Sequence, residues 1–225
     1  MEIELVIAVG TASSGPSVAN NPLFKSDNIN GSVVMGSRVF LHNGGDDNSK
    51  SHYDCLCWDE VLESSSTDFI EKLKAVDFSS YSQLMLCPPN HPAPDGQRFY
   101  VDKNFIALDD VNVTDYKLYA KKDGETGEAY TSKYPEDANV VSLDTTHCLI
   151  YLTAKKHLNG QNPPFMFVSG EVDRFKMFAT DVDPKVYAQN VSGAHNAGVA
   201  VAYIISQLTH EHYLNSEAVK LAQHV

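Results

Sequence analysis

Basic residues are scarce in this chain of 225: 17 Lys and Arg stand against 29 Asp and Glu, a formal net charge of -12. A surface field of that sign repels phosphate backbones and anionic lipid headgroups. Nucleic acid and membrane surfaces are therefore not expected as partners, and a nucleoside-like small molecule fits only where a local pocket opposes the global sign. Cysteine is sparse too: Cys55, Cys57, Cys87 and Cys148 lack the dense, regular spacing of a disulfide-stapled secreted fold and are read as reduced thiols. No apolar run reaches the roughly 18 residues of a membrane-spanning helix. The opening "MEIELVIAVG" carries two glutamates where a signal peptide carries positive charge, so a cytoplasmic protein is expected.

What is present is ordinary globular composition, 43% hydrophobic and 20% charged residues, which leaves little room for a long disordered tract. A single α/β domain spanning residues 1–225 is the expectation. "IELVIAVG" is a nearly continuous apolar run ending at a glycine, the pattern of a parallel strand buried on both faces. The Gly, Pro, Ser and Asn of "TASSGPSVANNPLFKSDNING" then read as a loop at a strand's carboxyl end, where open α/β sheets bind ligands.

A turn on Asn30-Gly31 leads into strand material, "SVVMGSRVFLH", interrupted at Gly36, where a bulge or a close backbone approach is expected. A helix is predicted over about 66–76 from "STDFIEKLKAVDF", and "CPPNHPAPDGQ" is too proline-rich for regular structure. "FIALDDVNVTDY" reads as a strand running into a turn. "NVVSLD" is a strand, with a helix starting near "DTTHCLI", and "PPFMFVSGEVD" is a buried strand closing on Ser169-Gly170. "AHNAGVAVAYIISQL" is apolar nearly all round, the mark of a buried helix.

Three pieces in order, "VGTASSGP", "INGSVVMGSRVFLH" and "FVSGEVDRF" followed by "AHNAGVAVAYI", resemble the nucleoside phosphorylase and nucleoside hydrolase superfamily. The resemblance covers about half the chain, and residues from about 43 to 140 match nothing in the family and are read as a divergent insertion. It implies a three-layer α/β/α fold with a central mixed sheet, and cleavage of the N-glycosidic bond of a nucleoside or related ribosyl compound.

Carried over residue by residue, the resemblance places the substrate-side turn on Gly10, Thr11, Ala12 and Ser13, with the hydroxyl residue facing phosphate or the attacking water. The family's Ser-Gly-Asp becomes Ser169-Gly170-Glu171, with Asp173 two residues on. The carboxylate there protonates the purine N7 so that the base leaves neutral, a general-acid role that falls to Glu171. Asp173 and Arg174 also read as a surface pair. His42, at the end of its strand, lies near the pocket in the family.

The family's Met-Glu pair, aligned on the alanine-rich helix, becomes His195-Asn196. Asn196 is neutral, so it would hold a ribose but stabilise an oxocarbenium-like transition state less well. The glycine loop and arginine that bind phosphate upstream of the turn in the family find no match in this sequence. Phosphate as co-substrate would then need groups from a partner chain or from the unmatched middle segment, whereas hydrolysis needs only a held water. No other cofactor is implied. Family members are oligomers, and an exposed strand edge gives a subunit reason to pair, so a homo-oligomer is expected. A relative that kept the fold and lost the activity is the alternative.

Two further clusters carry reactive side chains. His42, His52, Cys55 and Cys57 are zinc-type ligands, but their spacing matches no common finger or catalytic pattern. Asp144, Thr145, Thr146, His147 and Cys148 read either as a nucleophile beside a base or as a helix cap by Asp144 or Thr145, and the cap is the simpler account. Tyr187, Gln189 and Asn190 precede the buried helix and are candidate pocket residues.

Overall fold

The computed structural model describes residues 4–26, 28–42, 60–76, 78–87, 98–110, 139–144, 146–174 and 187–222. Eight strands form one mixed sheet: β1 (Val6–Ser14), β2 (Val33–Gly36), β3 (Arg38–His42), β4 (Val61–Glu63), β5 (Phe99–Val101), β6 (Ile106–Asp110), β7 (Val140–Asp144) and β8 (Phe165–Arg174). The helices are α1 (Thr67–Lys74), α2 (Ser79–Ser82), α3 (His147–His157) and α4 (Tyr187–Ala222), with a 3-10 turn at Pro16–Asn20. The sheet order is β4-β3-β6-β7-β1-β8-β2-β5.

β1 and β8 run parallel and side by side for their whole lengths, from Val6 opposite Phe165 to Ser14 opposite Arg174. Period-two alternation sends their side chains to two different layers. Ala8, Phe165 and Phe167 pack with Cys148 and Tyr151 of α3. Met166 and Val168 pack with Ala197, Ala200, Tyr203 and Ile204 of α4 and with Ile70 and Leu73 of α1. The expected three-layer α/β/α architecture with a mixed sheet is thus the observed one.

The run from Val33 to His42 explains its own odd composition. β2 pairs with β5 and β8, while β3, after Ser37 alone, pairs with β4 and β6. One chain segment therefore supplies strands near both ends of the sheet order, so the sheet curls round upon itself at Gly36. A Cβ there would lie 2.7 Å from the Phe167 ring and 2.8 Å from the Phe105 carbonyl oxygen, which is the close approach the sequence predicts. The turn before it is built as expected: Gly31 takes φ 85°, and the Ser32 N–H donates to the Ile29 carbonyl at 2.8 Å.

Several expectations change. The "VGTASS" segment is strand rather than turn, because β8 stays paired with it as far as Ser14. β8 likewise continues beyond Ser169-Gly170 to Arg174. The last helix begins at Tyr187, so "YAQNVSGAHN" belongs to α4 instead of preceding it. Of the 43–140 region read as an insertion, β4, β5 and β6 are built into the central sheet. α1 falls within the predicted 66–76 window, with Asp68 in its first turn and Lys72 and Lys74 in its last, as the helix dipole favours.

Candidate active site

Small residues on β1 open the space for the site. Ala8, Gly10 and Ala12 share the α3-side face of the strand, and a Cβ on Gly10 would lie 2.9 Å from Asp144 Oδ2 and 3.1 Å from His147 Cε1. Into that space four buried polar side chains project from three elements. Ser142 of β7 donates its hydroxyl to Ser169 Oγ of β8 at 2.8 Å. Ser169 Oγ lies 2.9 Å from His147 Nε2 at the start of α3. His147 Nδ1 faces Asp144 Oδ2 at 3.2 Å. The His147 ring is held against Phe167, with ring centroids 5.9 Å apart.

Two residues beyond Ser169 on β8 stands Glu171, with no exposed surface at all. Among the described residues neither of its carboxyl oxygens makes a well-formed hydrogen bond; the nearby Ser142 hydroxyl, the one group that stabilises its charge, donates to Ser169. Burial pushes the Glu171 carboxyl well above its ordinary range. The nearby charges of Asp173 and Asp144 push the same way, and only the Ser142 hydroxyl acts against them. All but one of these influences favour the protonated carboxyl over the carboxylate.

The acids around it are handled differently. Asp173 receives the Ser13 hydroxyl at 2.9 and 3.0 Å on its two oxygens, and its carbonyl accepts from Ser14 at 3.3 Å. Asp109 of β6 accepts the N–H groups of Cys148 and Leu149 at 2.7 and 3.2 Å, so the first turn of α3 is satisfied from a neighbouring strand. Burial, then the Asp144 charge, raises the Asp109 carboxyl to about 8 despite those bonds. Burial lowers the His147 pKa, and Asp144 opposes that shift.

The helix cap expected of Asp144 or Thr145 is not made: Thr146 is the N-cap, without a side-chain cap bond, the first-turn N–H groups of Cys148 and Leu149 go to Asp109, and Asp144 closes a turn on Thr146 instead. Its Oδ1 accepts the Thr146 N–H and hydroxyl, each at 3.1 Å. The nucleophile-and-base reading of the same segment finds a different hydroxyl: His147 meets Ser169, from a strand 22 positions later, rather than its chain neighbour Cys148.

Of the residues singled out from the sequence, Ala12, Ser169 and Glu171 share the α3-side face. Thr11 and Gly170 lie on the other face, at the backbone of α4. A Cβ on Gly193 would lie 3.3 Å from Thr11 Cγ2, and one on Gly170 would run into the Gly193 carbonyl. Ser13 joins Asp173 through its hydroxyl. His42 ends β3 opposite Asp110, and its side chain lies outside the described residues, as do His52, Cys55, Cys57, Thr145 and the side chains of Tyr187 and Gln189. Asn190 is exposed. Among the described residues no group of three or more His, Cys, Asp and Glu side chains is placed to hold a metal ion.

His195 and Asn196, to which the resemblance gives the ribose, meet other partners here. Both sit two turns inside α4 and are spent on structural bonds. Asn196 Oδ1 accepts the Leu86 N–H at 2.8 Å, while its Nδ2 donates to the Leu86 carbonyl at 2.9 Å and the Gly31 carbonyl at 2.7 Å. Exposed His195 makes its 2.9 Å contact with the Leu84 carbonyl. An amide with its acceptor used and two donor bonds made has little left to offer a sugar. The place where a carboxylate does precede a helix at the site is Asp144, at the β7–α3 junction. Ser142 and Asp109 escaped sequence reading. An acid in the apolar run "FIALDD" and a serine in "NVVSLD" were their only signals.

This arrangement is a nucleoside phosphorylase-like α/β fold. No family model matches the chain, and no characterised protein matches it in sequence. Among solved structures it is similar to the 5′-methylthioadenosine/S-adenosylhomocysteine nucleosidase of Colwellia psychrerythraea 34H in complex with adenine. That likeness has 12% identity and a TM-score of 0.50, over 91% of this chain and 67% of that one. It is also similar to a futalosine hydrolase mutant of Helicobacter pylori strain 26695, at 12% identity and a TM-score of 0.48, over 91% and 68% of the two chains. At such identity the likeness establishes the fold, and the chemistry has to be argued from the site.

Proposed function

We propose that this protein cleaves the N-glycosidic bond of a nucleoside or a related ribosyl compound, with Glu171 as general acid. The observation that carries this reading is a fully buried carboxyl on the face of Ser169, whose pKa burial and two neighbouring carboxylates raise toward the protonated form. A neutral acid can donate its proton to a base nitrogen as the glycosidic bond breaks, so that the base leaves uncharged. Water then adds to the ribose carbon, and its proton passes to a carboxylate.

Hydrolysis is favoured over phosphorolysis by the acids at the site. Asp144 and Asp173, whose charges act on Glu171, stand at the site, and a phosphate dianion would have to enter against them. Asp173, already receiving the Ser13 hydroxyl, is the candidate acceptor of the water proton. Ala12 and Ser169 share the sheet face of Glu171, Ser13 holds Asp173 through its hydroxyl, and Thr11 and Gly170 back the site from the α4 side; the protein acts without a cofactor. The subunit works in the cytoplasm as a homo-oligomer.

The alternative is a ligand-binding relative without turnover. The consumption of Asn196 in structural bonds favours it, since the residue aligned with the family's ribose carboxylate serves packing here. One experiment separates the two. The purified protein is incubated with adenosine, inosine, uridine and methylthioadenosine, with and without phosphate, and the free base is measured by chromatography while ligand-induced thermal shifts are recorded. Released base independent of phosphate supports hydrolysis, and stabilisation without base release supports the binding reading.

A further inference from the structure

We propose that Asn196 is a positioning residue for Glu171: through the Gly31–Ser32 turn it fixes a stretch of β8 that regular strand pairing does not hold. The proposal rests on the general-acid reading of Glu171. Its basis is an unbroken set of hydrogen bonds from the helix to the backbone of the acid. Asn196 Nδ2 donates to the Gly31 carbonyl at 2.7 Å, the Gly31 N–H donates to the Glu171 carbonyl at 2.8 Å, and the Glu171 N–H donates to the Ser32 carbonyl at 2.9 Å.

Two successive residues at the start of β2 thus answer to one residue of β8, and the first of them is a glycine at φ 85°. That is a G1 bulge, which bends the chain and interrupts the ladder locally. The pairing on the other side of Glu171 is irregular as well. Ala12 stands opposite Glu171, but the next residue of β1, Ser13, stands opposite Asp173, so Val172 is passed over. With irregular pairing on both sides, the ladder alone does not decide where the Glu171 carboxyl points.

α4 supplies what the ladder lacks. Gly170 and Gly193 bring the helix backbone onto β8, and Asn196, one turn further along α4 and fully buried, reaches the bulge with a short side chain. The same amide takes the Leu86 N–H and donates to the Leu86 carbonyl, so its orientation is fixed from both ends. It brings no charge. The charges acting on Glu171 are those of Asp173 on its own strand and Asp144 of β7, while His195, beside Asn196 on α4, is exposed and meets the Leu84 carbonyl. Asn196 therefore acts on the acid through geometry rather than through its field. Without this tie the bulge relaxes and water reaches the carboxyl, and a wetter carboxyl holds its proton less tightly.

The test is a pH titration of the Glu171 carboxyl by infrared spectroscopy in the wild-type protein, N196A and G31A. The protonated-carboxyl band of Glu171 is the one that E171Q removes, which separates it from Asp109. G31A puts a side chain on a left-handed backbone, straining the bulge from its other end while the bonds between Asn196 and Leu86 stay in place. Circular dichroism confirms folding, and G31A carries the test if N196A does not fold. The midpoint is expected about one pH unit lower in both variants, because the carboxyl is less desolvated. Base release should slow by about ten- to a hundredfold in kcat with KM unchanged, the mark of a displaced group that acts only in the reaction itself. Wild-type midpoints in the folded variants overturn the positioning role alone. Base release by E171Q at the wild-type rate overturns the general-acid reading and leaves the midpoint shift standing.

Discussion

Asn196 grips Leu86 by both halves of its backbone, taking the N–H at 2.8 Å and giving a proton to the carbonyl at 2.9 Å. A third bond, to the Gly31 carbonyl, ties α4 to the turn that starts β2. Replacing Asn196 with glutamate, the change that would restore the ribose carboxylate if the sequence alignment held, sets an acceptor against two carbonyl oxygens. Asn196→Glu should therefore give no gain in nucleoside cleavage, and it should lower stability by about 3 kcal/mol, the scale of a broken buried network. Chemical denaturation and the base-release assay read the two effects, and a gain in activity would return the ribose role to this position.

Glu171→Gln keeps the size of the side chain and removes the transferable proton. General-acid catalysis contributes about 100- to 10,000-fold, so base release should fall by that order while ligand binding persists. The same change should leave the fold intact or firmer, because a fully buried ionisable group is replaced by one that carries no charge at any pH. Equal base release by Glu171→Gln and wild type would remove the acid from the mechanism.

The parts of this fold that the sequence announces are those with long, unmixed signals. "PPFMFVSG" reads as a central strand because a strand covered on both faces has no polar alternation, and β8 is buried almost throughout; "IELVIAVG" reads the same way and pairs beside it in the middle of the sheet, although Val9 is exposed. Three-residue β4 and β5 are too short to show any period, and the pairing that makes them strands comes from β2 and β3. The stretch Thr11–Ser14 carries turn composition, yet it is strand because Gly170–Arg174 pairs with it, a tertiary override of local preference. Glu171 was found from a motif. The contact of His147 with Ser169 becomes visible only when α3 is laid against β8.

Asp109 should write itself into the pH dependence of stability. Its carboxyl moves from the ordinary value of 3.8 to about 8 in the folded protein, so between those values the folded state holds a proton that the unfolded state has released. Stability contributed by this group is full below about pH 4 and is lost as pH rises toward 8, the direction linkage requires. Glu171, raised for the same reason, adds to the trend, whereas His147, lowered by burial, costs stability as pH falls below 6.5. Asp109→Asn retains an oxygen for the Cys148 and Leu149 N–H groups and should flatten the loss between pH 6 and 8. Urea denaturation at several pH values measures it, and an unchanged slope would show that Asp109 is ionised in the folded protein.

Gly170 and Gly193 let α4 lie directly on β8. A Cβ on Gly170 would run into the Gly193 carbonyl, and one on Gly193 would lie 2.5 Å from Val172 Cγ1. The first obstacle is backbone and cannot step aside, while the second is the end of a side chain that can turn. Gly170→Ala should thus destabilise by about 3 kcal/mol or more and Gly193→Ala by about 1 kcal/mol, the ordinary span of overpacking costs. Thermal unfolding of the two variants decides the order, and the reverse ranking would mean that the helix shifts as a body.

Gly10 offers a similar probe at the site itself. Its Cβ would come within 2.9 Å of Asp144 Oδ2 and 3.1 Å of His147 Cε1, so Gly10→Ala presses on the contact between the two. The strand at Gly10 is held on one side by its register with Ser169, so the side chains have to yield rather than the backbone. The variant should stay folded at a cost of about 1–2 kcal/mol while the His147 ring leaves Ser169, which the ring-nitrogen NMR shifts of His147 would report as a change in the Nε2 hydrogen bond. Base release should fall in the same variant even though no group that meets the substrate has been altered. Unmoved ring-nitrogen shifts would mean that β1 has room to give, and that the glycine serves the strand rather than the histidine.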